Sequence, residues 1–168
     1  MKHKIAALFI ALGLAFVSGS LAKAEPPVVV ELFTSQGCYS CPPAEAYLGE
    51  LSKTAEIVAL EFHVDYWDDL AHGGDGKWKD VFSRPEFTQH QRIYAGNFPN
   101  GQVYTPQMVV GGHGFAVGSN RRAVRRLIAQ AKEIQRGATL TITKKPGHDL
   151  GTNLSIDITG RSNRPLSI

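Results

Sequence analysis

Cys38 and Cys41 are the only cysteines in the 168 residues, and they stand between an apolar run and a pair of prolines. Val28-Val29-Val30-Glu31-Leu32-Phe33 has the length and β-branched content of a buried strand. Thr34-Ser35-Gln36-Gly37 reads as a turn. Pro42-Pro43 suits the first turn of a helix, where a missing N–H costs nothing. That helix continues over Ala44 to Lys53 with Tyr47, Leu48 and Leu51 on one face. Ile57 to Val64 is a second, nearly all-apolar strand. Strand, C-x-x-C, helix and strand at so short a pitch call for a right-handed βαβ unit with parallel strands, and so for an α/β chain.

The compartment decides how the two cysteines are read. Residues 1–24 have the form of a cleaved secretory signal peptide: Lys2, His3 and Lys4, then the apolar stretch Ile5 to Val17, then Ala22-Lys23-Ala24. Its removal leaves 144 residues and takes three of the 18 basic side chains and none of the 15 acidic ones. The formal charge of +3 for the whole chain falls to zero. A neutral surface argues against an electrostatic nucleic-acid binder. No other apolar run approaches the roughly 20 residues needed to cross a bilayer. The expectation is one domain with a real core, periplasmic or secreted, with no membrane contact after cleavage.

Outside the cytoplasm thiols tend to be oxidised. Closing so short a loop removes little entropy from the unfolded chain, so this pair is a poor staple. It suits thiol–disulfide exchange, with Cys38 exposed at the helix N-terminus, where free N–H groups and the helix dipole favour a thiolate. Cys41, deeper in the helix, would resolve the mixed disulfide. A metal site drawing on His63 or His90 and a purely passive disulfide remain open alternatives. The exchange reading calls for no metal and no cofactor, because the dithiol is itself the reactive group.

The rest of the chain fits the same plan. Residues 65–100 are rich in aromatics, among them Trp67, Trp78 and Tyr94 as candidates for a substrate groove or for core. Residues 71–76 read as a flexible loop. Ser83-Arg84-Pro85-Glu86 starts a helix with Ser83 as its cap, running to about Ala95. Gln107 to Val110 and Gly114 to Val117 read as an antiparallel hairpin around Gly111-Gly112-His113. Ser119 caps a helix from Arg121 to about Arg136, with Val124, Leu127, Ile128 and Ala131 as its apolar side. Thr139 to Thr143 and Leu154 to Ile158 form a last hairpin. The expected division is therefore 25–137 as the domain and 138–168 as a β-rich extension.

The order β-CxxC-α-β-α-β-β-α is that of a thioredoxin-like domain, with a mixed central sheet and flanking helices. Such domains carry a cis-proline opposite the dithiol, just before the third strand. Pro106 after Thr105 stands at that place, leaving the Thr105 backbone free to pair with a bound peptide. Glu31 interrupts an apolar strand, and a buried carboxylate there is a candidate to handle the proton of Cys41.

Several motifs together resemble the DUF1223 family of exported bacterial proteins: Val30 to Cys38 with Ser40-Cys41-Pro42-Pro43-Ala44, His63-Val64-Asp65-Tyr66-Trp67, Pro85-Glu86-Phe87-Thr88 with Gln91-Arg92 and Tyr94-Ala95, and Tyr104 to Val110. The resemblance implies a thioredoxin-like fold and thiol–disulfide exchange on protein or peptide substrates. It also implies a longer β-rich C-terminal region than residues 138–168 supply. Gly37 before Cys38, and Pro42-Pro43 after Cys41, depart from the thioredoxin pattern. A metal carrier and a non-catalytic binding module stay as alternatives. The direction of exchange and the oligomeric state are not written in the sequence.

Overall fold

A computed structural model describes residues 26–68, 78–134, 138–146 and 152–160. The expected signal peptide, the 71–76 loop and the end of the third helix at Arg136 fall outside the described residues. The elements follow the sequence order: β1 (Val28–Thr34), α1 (Pro42–Leu51), β2 (Ile57–His63), a single 3-10 turn (Asp65–Trp67), α2 (Pro85–Asn97), β3 (Gln107–Val110), β4 (Gly114–Val117), α3 (Arg121–Glu133), β5 (Ala138–Pro146) and β6 (Thr152–Gly160).

Four strands form one mixed sheet in the order β2-β1-β3-β4. β1 and β2 are parallel, with Val28 opposite Ile57 and Thr34 opposite His63. β3 runs antiparallel to β1, and β4 antiparallel to β3. The turn joining β3 and β4 needs positive φ at two successive positions, and Gly111 and Gly112 supply 59° and 68°. This is the mixed α/β, thioredoxin-like arrangement expected from the residues. β5 and β6 form a separate two-stranded antiparallel sheet. Its described side chains Ile142, Leu154, Ile156 and Ile158 are exposed.

Alternation along β1 divides the core. Val28, Val30 and Leu32 pack with Met108 and Val110 of β3 against Ala44, Tyr47 and Leu48 of α1 and Val124 and Ala131 of α3. The contact is close: a Cβ on Gly118 would sit 2.8 Å from Cβ of Ala44. On the other face Phe33, Val64 and Val109 are buried beneath Phe62, Tyr66, Trp67, Tyr94, Phe98 and Phe115. α2 carries Tyr94 to this second core, so the expected aromatic stretch is largely core.

Two helix caps differ from expectation. Ser83 does not cap α2; its hydroxyl donates to Asp68 Oδ2 at 2.6 Å, and Arg84 occupies the cap position without a side-chain bond. α3 is capped by Asn120, whose Oδ1 accepts the Ala123 N–H at 3.1 Å, one residue after the expected Ser119.

Candidate active site

Pro42 and Pro43 fix where α1 can begin. A proline is tolerated only in a first turn, so they become its first two residues and Cys41 its cap. Cys38 therefore lies ahead of the helix, in a turn where its N–H donates to Ser35 O at 3.0 Å and its carbonyl accepts from Cys41 N at 3.1 Å. The two sulfurs are joined as a disulfide across a Cα–Cα distance of 5.4 Å. Cys41 is fully buried and Cys38 is only 3 % exposed, whereas Tyr39 between them is 90 % exposed. The expectation of an exposed Cys38 in contact with free helix N–H groups is thus corrected on two counts. Pro42 and Pro43 have no N–H to give, and the next two, on Ala44 and Glu45, both donate to Cys41 O.

What covers Cys38 is the loop before β3. The Thr105–Pro106 bond is cis, as its position foretold. Pro106 is buried, and its carbonyl accepts the Gly118 N–H at 2.9 Å. The Thr105 hydroxyl donates to Cys38 Sγ at 3.3 Å, and the Trp67 indole Nε1–H donates to that same hydroxyl oxygen at 2.8 Å. The Ser40 hydroxyl lies 3.5 Å from Cys38 Sγ on the open side.

Beneath the loop, Gln91 of α2 is fully buried and its amide N–H groups donate to Tyr104 O at 2.7 Å and Gln107 Oε1 at 2.8 Å. Gln107 in turn donates to Gln102 O. Two glutamines in an otherwise apolar interior are tolerated because they satisfy each other and the loop carbonyls. Burial raises the pKa of both Tyr66 and Tyr104 beside them.

A second polar group holds the turn that leads into Cys38. Asp80 is fully buried. Its Oδ2 accepts the Gln36 N–H at 2.7 Å and meets His63 Nδ1 at 2.7 Å, while Oδ1 accepts the Phe82 N–H at 2.9 Å. Burial pushes the Asp80 pKa up, but these donors outweigh it and the net direction is down. His63 Nε2 faces Glu61 Oε1 at 3.3 Å. The Glu61 contact raises the His63 pKa first, burial opposes it, and Asp80 adds to the rise, bringing it to about 9. His63 is then an imidazolium clamped between two carboxylates.

Glu31 points to the α2 face of the sheet, away from α1. Its Oε1 meets His90 Nε2 at 2.8 Å and its Oε2 accepts the Tyr94 hydroxyl at 2.5 Å. Both carboxylate oxygens are therefore engaged with α2, and the structure does not bring Glu31 together with the disulfide through any bond it makes. Tyr94 is raised in pKa, by burial first and by Glu31 next, so it stays a donor. His90 also packs edge-on against Tyr94 and Phe62. Of the expected site residues, Cys38, Cys41, Thr105 and Pro106 come together, and Glu31 stands on the other side of β1.

Asp80 is not signalled by the sequence, and Trp67 and Gln91 stand within the matching motifs without their roles, as partner of Thr105 and as support of the proline loop, being written there. Asp80 had no visible signal, since an aspartate after a loop is ordinarily a surface residue. Among the described residues no group of three or more His, Cys, Asp or Glu side chains is arranged to hold a metal ion. No described helix is long and apolar enough to cross a membrane.

A crystal structure of a protein from Agrobacterium tumefaciens matches with a TM-score of 0.63 and 36 % identity, over 82 % of this chain. The chain spans 58 % of that protein's length. A thiol:disulfide interchange protein of the thioredoxin family from Chlorobium tepidum TLS matches at a TM-score of 0.37 and 15 % identity, over 64 % of this chain and 81 % of that one. That second similarity is too low to bear on the fold. No curated protein matches. The family model described as a protein of unknown function, DUF1223, matches residues 29–167, and the chain belongs to that family.

Proposed function

We propose that this protein is an exported thiol–disulfide oxidoreductase acting on protein or peptide substrates through Cys38 and Cys41. The observation that carries the reading is the Cys38–Cys41 disulfide held against the cis Thr105–Pro106 loop. Export rests on the sequence of residues 1–24 alone.

The exchange balances within the two partners. A substrate thiolate attacks Cys38 Sγ in line with the S–S bond. The new bond joins substrate sulfur to Cys38, and the electron pair of the broken bond leaves with Cys41 Sγ, which takes up the equivalent of the proton that the attacking substrate thiol gave up. A second substrate thiolate then attacks the substrate sulfur of the mixed disulfide and expels Cys38 as a thiolate. Two substrate thiols become one disulfide, and the protein disulfide becomes a dithiol. Every step is reversible, so the same residues carry reduction of a substrate disulfide when the protein starts as the dithiol. Cys38 takes the substrate because it is the less buried sulfur. The Thr105 backbone offers the edge along which an extended substrate segment pairs. Glu31 serves to hold α2 on the sheet.

The test is single-turnover exchange. Oxidised protein mixed with a reduced peptide carrying two cysteines is expected to convert it stoichiometrically to its disulfide. Cys41→Ser, which has no disulfide of its own, is expected to accumulate a mixed disulfide at Cys38 when it is given the same peptide in its oxidised, disulfide form. A wild-type protein that leaves the peptide reduced, together with a Cys41→Ser variant that traps nothing, overturns the reading.

A further inference from the structure

A thiolate at Cys38 needs a hydrogen-bond donor, and the usual source is closed off. Pro42 and Pro43 have no N–H, and the N–H groups of Ala44 and Glu45 are both spent on Cys41 O. The donor comes instead from across the site. An indole Nε1–H can only donate, so the bond from Trp67 to Thr105 makes the threonine hydroxyl oxygen an acceptor. Its one proton is then free to be given to a different partner. Cys38 Sγ lies 3.3 Å away in the donating direction. The Tyr66 hydroxyl donates elsewhere, to Gln91 Oε1 at 3.4 Å. A disulfide sulfur is a weak acceptor and a thiolate a strong one, because hydrogen bonds to charged groups are roughly twice as strong as neutral ones. Reduction therefore draws the Thr105 proton towards Cys38.

We propose that Trp67 is a positioning residue that sets the reactivity of Cys38 through the hydroxyl of Thr105, so that the chain Trp67 Nε1–H to Thr105 Oγ1–H to Cys38 Sγ stabilises the Cys38 thiolate. The proposal deepens the exchange function and rests on it for its biological meaning. The chemistry itself is a property of the thiol and is read without a substrate. In the thioredoxin-like pattern the proline loop meets the substrate by its backbone; here the side chain beside it acts on the enzyme's own sulfur.

The other groups around Cys38 do not change with the variants below. Ser40 Oγ, at 3.5 Å, sits on an exposed residue and turns to water as readily as to sulfur. The His63 imidazolium is paired with Asp80 and Glu61, and Glu45 accepts from Thr34 at 2.6 Å.

The experiment titrates a single thiol. Cys41→Ser leaves Cys38 as the only cysteine, and its thiolate is followed by ultraviolet absorbance. Adding Thr105→Val removes the donor at nearly constant shape, and the thiolate fraction at a fixed pH below the midpoint is expected to fall about tenfold. Thr105→Ser keeps the hydroxyl and is expected to restore most of that loss. Trp67→Phe is expected to give a smaller loss of about threefold when Thr105 is present and no change when Thr105→Val has already been made. In the protein with both cysteines, Thr105→Val is expected to make the disulfide less oxidising by about 30 mV, the equivalent of a tenfold change in equilibrium constant. If Trp67→Phe disturbs the fold by circular dichroism, the benzothienyl analogue of tryptophan, which keeps the bicyclic shape without the N–H, takes its place. A Thr105→Val titration that overlays the parent overturns the proposal. So does a Trp67 effect of equal size with and without the Thr105 hydroxyl. Failure of exchange with peptides, by contrast, leaves these titrations untouched and strikes only the proposed function.

Discussion

The Asp80 carboxylate accepts the backbone N–H of Gln36, two residues before Cys38, at 2.7 Å across 44 residues of sequence. A fully buried carboxylate survives there because each oxygen is taken by a donor: Gln36 and His63 on one, Phe82 on the other. Asp80→Ala strands all three donors. Removing one partner of a buried charged network costs about 3–5 kcal/mol. The expected outcome is a large fall in the urea midpoint, with Asp80→Asn intermediate because an amide oxygen still accepts. A midpoint unchanged in Asp80→Ala contradicts the arrangement.

His63 makes stability depend on pH in a stated direction. Its folded pKa is raised to about 9 from an ordinary 6.5. The pairing therefore stabilises fully below about 6.5 and is lost as pH rises through about 9. Asp80 is shifted the other way, so its contribution is present above the ordinary aspartate range and is lost only in strong acid. Unfolding free energy measured from pH 6 to 10 is expected to decline across that upper window, by up to about 3 kcal/mol. His63→Asn is expected to flatten the curve.

Glu31, Tyr94 and His90 form a partly buried polar unit between sheet and helix, and coupling is its signature. Tyr94→Phe removes one donor to the carboxylate and is expected to cost about 1–2 kcal/mol. Glu31→Gln is expected to cost a similar amount. Because the two side chains share the 2.5 Å bond, the double variant is expected to lose about 1 kcal/mol less than the two single losses together. Simple additivity in chemical denaturation would show that the bond contributes nothing.

Gln91 supports the proline loop from below. Gln91→Leu keeps the volume but leaves Tyr104 O and Gln107 Oε1 without their donor. A loss of about 2–3 kcal/mol is expected, from unsatisfied buried acceptors. Amide hydrogen exchange is expected to rise in residues 102–107 before it rises in β1. Uniform protection across both segments would separate Gln91 from the loop.

Local pattern accounts for what the sequence made legible. The βαβ start, the β3–β4 hairpin and α3 are each written in neighbouring residues: an apolar run, Pro42-Pro43, Gly111-Gly112, an amphipathic period; the cis-proline is legible only from its place in the thioredoxin-like order. Glu31 stands out in the sequence as a charge inside an apolar strand. Its face was not legible, because a strand with both sides buried has no polar alternation to orient it. The burial of Cys38 was not legible either. It depends on a loop 67 residues away. Asp80 and Gln91 look like surface residues until the partners that satisfy them are known, and those partners lie in other elements.

The distance along the chain between Cys38 and the residues that surround it has a kinetic meaning. The two cysteines are three residues apart and can close into a disulfide in an unstructured chain. Thr105 lies 67 residues away and Asp80 binds 44 residues from its partner. Contacts of such long separation form only when loop-closure entropy has been overcome, late in folding. Oxidation of the pair and acquisition of its surroundings are therefore separable events. Where oxidation comes first, the chain carries an ordinary short-loop disulfide, and the folding transition gives it a specific partner set. Local opening of the proline loop reverses that conversion with no covalent bond broken.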